Sequence, residues 1–161
     1  MAKNLVLYFS VYGTAKKVAE EIAQQTGADI MEIEPVIPYD SNRDHYNDLA
    51  AYAKREHDED MRPAIRNIIP VEDYDNIFLG YPMWWYTFPM IIYTLFDEYD
   101  FSGKTIIPFN THMGSQDGGT YKTVAKLAPG ATVLKGLPVE MTDAERGEPK
   151  VIADWLKSIG F

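Results

Sequence analysis

The sequence contains no cysteine. That excludes a disulfide framework, a thiolate metal centre and a cysteine nucleophile, and it agrees with a reducing compartment. Basic residues are scarce. Fifteen Lys and Arg stand against 24 Asp and Glu, for a formal net charge of −9. So acidic a domain repels nucleic-acid phosphates and anionic membranes, and its long-range attraction favours basic partner proteins. No stretch approaches the roughly 18 uninterrupted apolar residues of a membrane span. The opening MAKNLVLYFS has too short an apolar run for a signal peptide and no small-residue cleavage site, so a cytoplasmic location is the expectation. The GxxxxGK and GxGxxG runs are missing, and with them the fingerprints of triphosphate and dinucleotide sites. There is no GxSxG nucleophile elbow either.

What remains is an apolar, aromatic-rich chain. Its 161 residues fit one domain, taken here as 1–161, and 46 % apolar content is enough to bury a sizeable core. Leu5–Phe9 is a short continuous apolar run, as expected of a strand buried on both faces. From Thr14 the period becomes helical, with Val18, Ala19, Ile22 and Ala23 on one face and Gly27 as the stop. Asp29–Glu34 reads as a second strand, 76–81 as a third and Lys104–Phe109 as a fourth. The candidate for the fifth is Ala131–Leu134. Helices are expected over Met90–Tyr99, near Tyr121–Leu127, and from Pro149 through Ile159. Between the second and third strands lies a polar section with a helical insertion near 36–70. Its helix is expected from about Arg43 to His57, with Ser41 and Asp44 capping the start. Alternation of this kind implies a parallel sheet covered by helices on both faces.

Ligands of such sheets sit beyond the carboxyl ends of the strands. Three loops qualify, 10–15, 82–89 and 110–119. Ser10-Val11-Tyr12-Gly13-Thr14-Ala15 combines a turn glycine, hydroxyls and a helix start, whose free N–H groups and dipole suit a phosphate. Pro82-Met83-Trp84-Trp85-Tyr86 places three aromatics in succession after a buried strand. They cannot all enter the core, so one is expected near the surface, where a flat ring would stack. Thr111, His112, Gly114, Ser115, Gly118 and Gly119 form a small-residue loop that backbone and ligand can approach closely. Asp40, Asp44, His45 and Asp48 are read as a solvated face rather than a metal site, and His57-Asp58-Glu59-Asp60 as an exposed turn.

Ser10-x-x-Gly13-Thr14, Gly80-Tyr81-Pro82-x-Trp84-Trp85 and Thr111-His112-x-Gly114-Ser115, each after an apolar strand, make the chain resemble the flavodoxins along its whole length. The resemblance implies a flavodoxin-like doubly wound α/β fold, five parallel strands in the order 2-1-3-4-5 with helices on both faces, and FMN at the switch point. It implies that Ser10, Tyr12, Gly13, Thr14 and Ala15 wrap the FMN phosphate. Pro82, Met83, Trp84 and Trp85 would flank the ribityl chain and the isoalloxazine ring, with Thr111, His112 and Gly114 on the other side. Tyr12 and Ala15 depart from the family's usual hydroxyl residues. Two functions follow. One is an electron carrier between a reductase and redox partner enzymes, needing no catalytic residue and no metal. The other is an FMN-dependent NAD(P)H oxidoreductase of the quinone-reductase type. Either a monomer or a homodimer is compatible. A phospho-receiver domain shares the sheet order but needs acidic residues at the ends of strands one and three, where Ser10 and Tyr81-Pro82 stand.

Overall fold

The computed structural model describes residues 2–144 and 148–161. Its sheet is built from β1 (Asn4–Tyr8), β2 (Asp29–Glu32), β3 (Asn76–Pro82), β4 (Thr105–His112), β5 (Thr132–Val133) and β6 (Leu137–Glu140). The order is β2-β1-β3-β4-β5, and β6 also pairs with β4. All of these pairings are parallel. The helices are α1 (Thr14–Thr26), α2 (Tyr46–Asp58), α3 (Met90–Glu98), α4 (Thr120–Leu127), α5 (Met141–Ala144) and α6 (Pro149–Ser158). Among the described residues no helix is long and apolar enough to cross a membrane.

Two cores form because side chains alternate across each strand. Leu5, Leu7, Ile77, Leu79, Tyr81 and Ile106 face one side and pack with Ile91, Ile92 and Leu95 of α3 and Val124 of α4. Val6, Tyr8, Phe78, Ile107 and Phe109 face the other and pack with Val18, Ala19 and Ile22 of α1 and Ile152, Trp155 and Leu156 of α6. Strands buried on both faces explain the unbroken apolar runs of β1 and β3. At Gly80 the alternation leaves a gap, and the ring of its cross-strand partner Phe109 fills it: a Cβ there would lie 2.1 Å from Phe109 Cζ.

The expected fifth strand is shorter and doubled. Thr132–Val133 pairs with Thr105–Ile106, the chain then leaves the ladder, and Leu137–Glu140 rejoins it opposite Phe109–His112. The break lies beside Pro108. Ile106 O accepts from Leu134 N–H at 3.0 Å, and residue 108 points to the same edge but has no N–H to continue the ladder. Gly136 passes close to the Pro108 carbonyl there; a Cβ would come within 2.7 Å of that oxygen. Three smaller corrections accompany this. β2 ends at Glu32 rather than Glu34. β4 continues through Asn110, Thr111 and His112, so those residues are strand rather than loop. The helical insertion opens with a 3-10 turn, Arg43–His45, capped not by Ser41 but by the Asn42 side chain, which accepts from Asp44 N–H. After α2 the chain returns antiparallel to 34–36, with Val36 N–H donating to Ala64 O and Arg66 N–H to Glu34 O.

Candidate functional site

Register brings the three loops together. Tyr8 lies opposite Gly80, Gly80 opposite Phe109, and Pro82 opposite Thr111. The carboxyl ends of β1, β3 and β4 are therefore adjacent, and the loops that follow them share one edge of the sheet. Phe9 N–H donates to Gly80 O, and Met83 N–H to Thr111 O, which fixes these ends to one another.

At the first loop, Gly13 has φ 90°, a left-handed conformation that favours glycine. Its N–H donates to Ser10 Oγ at 3.0 Å. The first bond inside α1 runs from Lys17 N–H to Gly13 O. The N–H groups of Thr14, Ala15 and Lys16 consequently lack intrahelical acceptors, and no side chain caps them. Open donors at the positive end of a helix dipole form an anion site. Thr14 and Ala15 are buried in the turn. Tyr12 leans out of it toward the inserted segment, where the Arg43 guanidinium lies 5.0 Å from its ring centroid.

The second loop is a tight hairpin. Trp84 N–H donates to Thr87 O at 2.7 Å and Thr87 N–H to Trp84 O at 3.2 Å. The two residues between, Trp85 and Tyr86, both have positive φ, 52° and 65°. That is the geometry of a type I′ turn, which Asn and Gly adopt readily and aromatics do not. Strain of about 1–3 kcal/mol per residue is typical of such positions. The surroundings hold the turn in place: Trp85 Nε1 donates to Ala50 O of α2 at 2.8 Å, and Lys54 Nζ sits 5.7 Å from its ring. Trp84 turns inward and meets Phe9 and Tyr39 edge-on. Tyr86 is left 80 % exposed at the tip.

The third loop begins with a constrained histidine. Gly114 N–H donates to His112 Nδ1 at 3.0 Å, so the neutral ring carries its proton on Nε2. Thr111 and His112 are both buried, while Met113 is 77 % exposed. Asn110 donates to Gln116 O and accepts from the Tyr121 hydroxyl, bracing the loop from beneath. Burial pushes the Tyr121 phenol far above its ordinary range, so it stays a donor. Gly118 closes on the second loop: a Cβ there would lie 2.6 Å from Met83 Cε and 3.0 Å from Tyr86 O. Loops two and three thus touch through a flexible thioether, with exposed apolar side chains beside the contact. These features suit a planar ring attached to a phosphate.

Every candidate residue lies on this edge, but the roles differ. Thr14 and Ala15, with Lys16, present the open backbone donors, and Gly13 supplies the turn before them. Pro82 ends β3, and Thr111 lies one residue before the end of β4. Trp85 and Tyr86 carry the exposed aromatic surface, whereas Trp84 belongs to the cluster beneath. Of the acidic set near 40–48, Asp40 and His45 pair at 2.7 Å on the surface. A depression of about 340 Å³ between 96–102 and 127–130 lies at the opposite edge, before β4 and β5, and is lined by Asp97, Glu98 and Asp100. That charge suits no phosphate.

Sequence reasoning missed Tyr39 and Glu56. The Tyr39 hydroxyl donates to both Glu56 carboxylate oxygens, at 2.8 and 3.0 Å, and Glu56 is 3 % exposed. Tyr39 also packs on Phe9 and Tyr52, so a buried acid lies one residue behind Trp84. Burial raises the Glu56 carboxyl above its ordinary value, and the Tyr39 bond opposes this. A raised carboxyl holds its proton more tightly in the folded chain than in the unfolded one. Its ionisation therefore destabilises the fold increasingly as pH rises from the unfolded value through the folded one. A neutral Gln removes that dependence. The melting temperature of Glu56→Gln relative to the parent is expected to be higher at about pH 7.5 than at about pH 4. An equal difference at both pH values would show that Glu56 carries no buried charge.

The comparisons with known proteins bear on the family and the fold. The family model described as Flavodoxin matches residues 3–159. A crystal structure from Bacteroides eggerthii DSM 20697, of a protein proposed to be a flavoprotein, is 33 % identical with a TM-score of 0.85, covering 100 % of this chain and 99 % of that one. A second, from Bacteroides uniformis ATCC 8492 and likewise proposed to be a flavoprotein, is 30 % identical with a TM-score of 0.84, covering 97 % and 98 %. A flavoprotein from Lactobacillus acidophilus NCFM, crystallised in complex with FMN, is 22 % identical with a TM-score of 0.65, covering 91 % and 98 %. No curated protein sequence matches the chain.

Proposed function

The chain belongs to the flavodoxin family, and on that premise we propose that it binds FMN at the ends of β1, β3 and β4 and carries electrons between a reductase and a redox enzyme. The observation that carries this reading is the uncapped start of α1, with left-handed Gly13 before it, beside the aromatic hairpin Trp84–Thr87. One part offers donors to a phosphate, the other apolar surface to a ring. The FMN complex of the Lactobacillus relative supports the same ligand.

The backbone N–H groups of Thr14, Ala15 and Lys16 would hold the phosphate, with Ser10 and Thr14 lining the turn. Pro82, Met83 and Trp85 would flank the ribityl chain and ring, Tyr86 would cover the exposed ring face, and His112 and Gly114 would bound the other side. FMN when bound supplies one- and two-electron chemistry; the protein sets its access and its surroundings. The chain's part is positional. The Trp85 bond to α2 and the His112 bond to Gly114 hold both walls, and the Met83–Gly118 contact limits water. The His112 Nε2–H is a fixed donor on that side. The net charge of −9 disfavours further negative charge near the ring and suits a basic partner docking over Tyr86 and Met113. A cytoplasmic setting fits a chain without cysteine.

The test loads the protein with FMN and adds NAD(P)H alone. A carrier keeps its oxidised spectrum until a separate reductase is supplied. Rapid bleaching by NAD(P)H alone would replace the carrier with an FMN-dependent oxidoreductase.

A further inference from the structure

We propose that Arg43, brought by the inserted segment between β2 and β3 and seated on the Tyr12 ring, is the charged partner of the cofactor phosphate. This inference rests on the FMN reading above and assigns a residue outside the three loops to that site. Residues 10–15 contain no Lys or Arg, so the turn alone offers a phosphate only dipoles and hydroxyls. Lys16 lies at the start of α1 toward Glu32, whose carboxyl feels its charge. The Arg43 guanidinium lies over the ring of Tyr12, 5.0 Å from its centroid, and Tyr12 is one residue before Gly13.

The placement of Arg43 is built rather than incidental. Asn42 caps the 3-10 turn that begins at Arg43 by accepting from Asp44 N–H at 3.0 Å. Asp40, three residues before that turn, is engaged elsewhere, accepting from Asn42 N–H at 2.9 Å and pairing with His45 Nδ1 at 2.7 Å. Among the described residues no carboxylate forms an ion pair with Arg43. Stacking uses the guanidinium face and leaves its N–H edge open, which is the geometry that binds phosphate bidentately. Tyr12 gains little from its own position. Its hydroxyl is buried without a partner, an arrangement that is unfavourable by itself. What Tyr12 does there is present a face to Arg43.

Binding of FMN and of riboflavin to the apoprotein, followed by flavin fluorescence quenching, separates phosphate recognition from ring recognition. Arg43→Ala is expected to weaken FMN about 10- to 100-fold and to leave riboflavin unchanged within about twofold. Arg43→Lys keeps the charge without the planar fork and falls between. Tyr12→Leu removes the seat and moves FMN in the same direction. As a readout without flavin, inorganic phosphate should raise the melting temperature of the parent apoprotein more than that of Arg43→Ala. FMN affinity of Arg43→Ala within about twofold of the parent would overturn the assignment. Equal losses for FMN and riboflavin would also overturn it, because Arg43 would then act on the ring or the fold. A parent that binds riboflavin and FMN equally would refute phosphate recognition here, and one that binds neither would refute the FMN reading itself.

Discussion

Replacing Gly13 by Asp is expected to leave the chain folded and to weaken FMN by about 100-fold or more. Two effects add. Gly13 has φ 90°, a conformation that is strained for any residue with a Cβ. Space is not the obstacle, since a Cβ there would meet nothing within 4 Å. The larger effect is charge. A carboxylate beside a bound phosphate, at a separation of about 5 Å and an effective dielectric of about 20, repels it by roughly 3 kcal/mol per pair of unit charges. That alone is about two decades in affinity. Gly13→Ala isolates the backbone part and should lose far less. Riboflavin, which has no phosphate, should bind Gly13→Asp as it binds Gly13→Ala. Equal FMN affinities for the two variants would move the phosphate away from this turn.

The second large effect is on stability. Gly80→Ala inserts a methyl where the Phe109 ring already lies, with a Cβ at 2.1 to 2.7 Å from three ring atoms. Phe109 is fully buried between α1, α6 and the sheet, so the ring has nowhere to retreat. Overpacking of this kind destabilises by about 1–3 kcal/mol or more. For a chain of this size that lowers the melting temperature by roughly 2–12 °C. Phe109→Leu in the same background should recover part of the loss, because a smaller side chain leaves room for the methyl. A Gly80→Ala protein as stable as the parent would mean that the Phe109 ring does not fill this gap.

Much of this architecture was legible because the deciding signals were local. Leu5–Phe9 and Ile77–Tyr81 are apolar on both faces, and a strand covered by helices on both sides must be. Val18, Ala19, Ile22 and Ile152, Trp155, Leu156 repeat at helical spacing, and both sets pack on one face of the sheet. The divided fifth strand was not legible, because its cause is in another strand. Pro108 lacks the donor that a continuous partner would need, and only the pairing of β4 with β5 and β6 connects the two. The third loop is shorter than its composition suggests, for a similar reason. Asn110, Thr111 and His112 look like loop residues, yet β6 pairs beside them and keeps them in the ladder.

At the site, the turn after β1 and the aromatic run after β3 were readable from their composition. Which aromatic faces outward was not. That is decided by the left-handed pair Trp85–Tyr86 and by the Trp85 bond to Ala50, thirty-five residues away. Glu56 was hidden in a run of charges. Leu49, Ala53 and Glu56 share the buried face of α2, but a carboxylate on such a face makes sense only once Tyr39 is found opposite it. Arg43 and Tyr12 are distant in sequence and meet only through the path of the insertion.

The central claim is that the edge formed by β1, β3 and β4 holds a flavin. The most direct measurement is the visible absorbance spectrum of the purified protein, taken after adding FMN and removing the excess by gel filtration. The account predicts a flavin spectrum that stays with the protein. A colourless protein that never retains FMN, although folded, would contradict it.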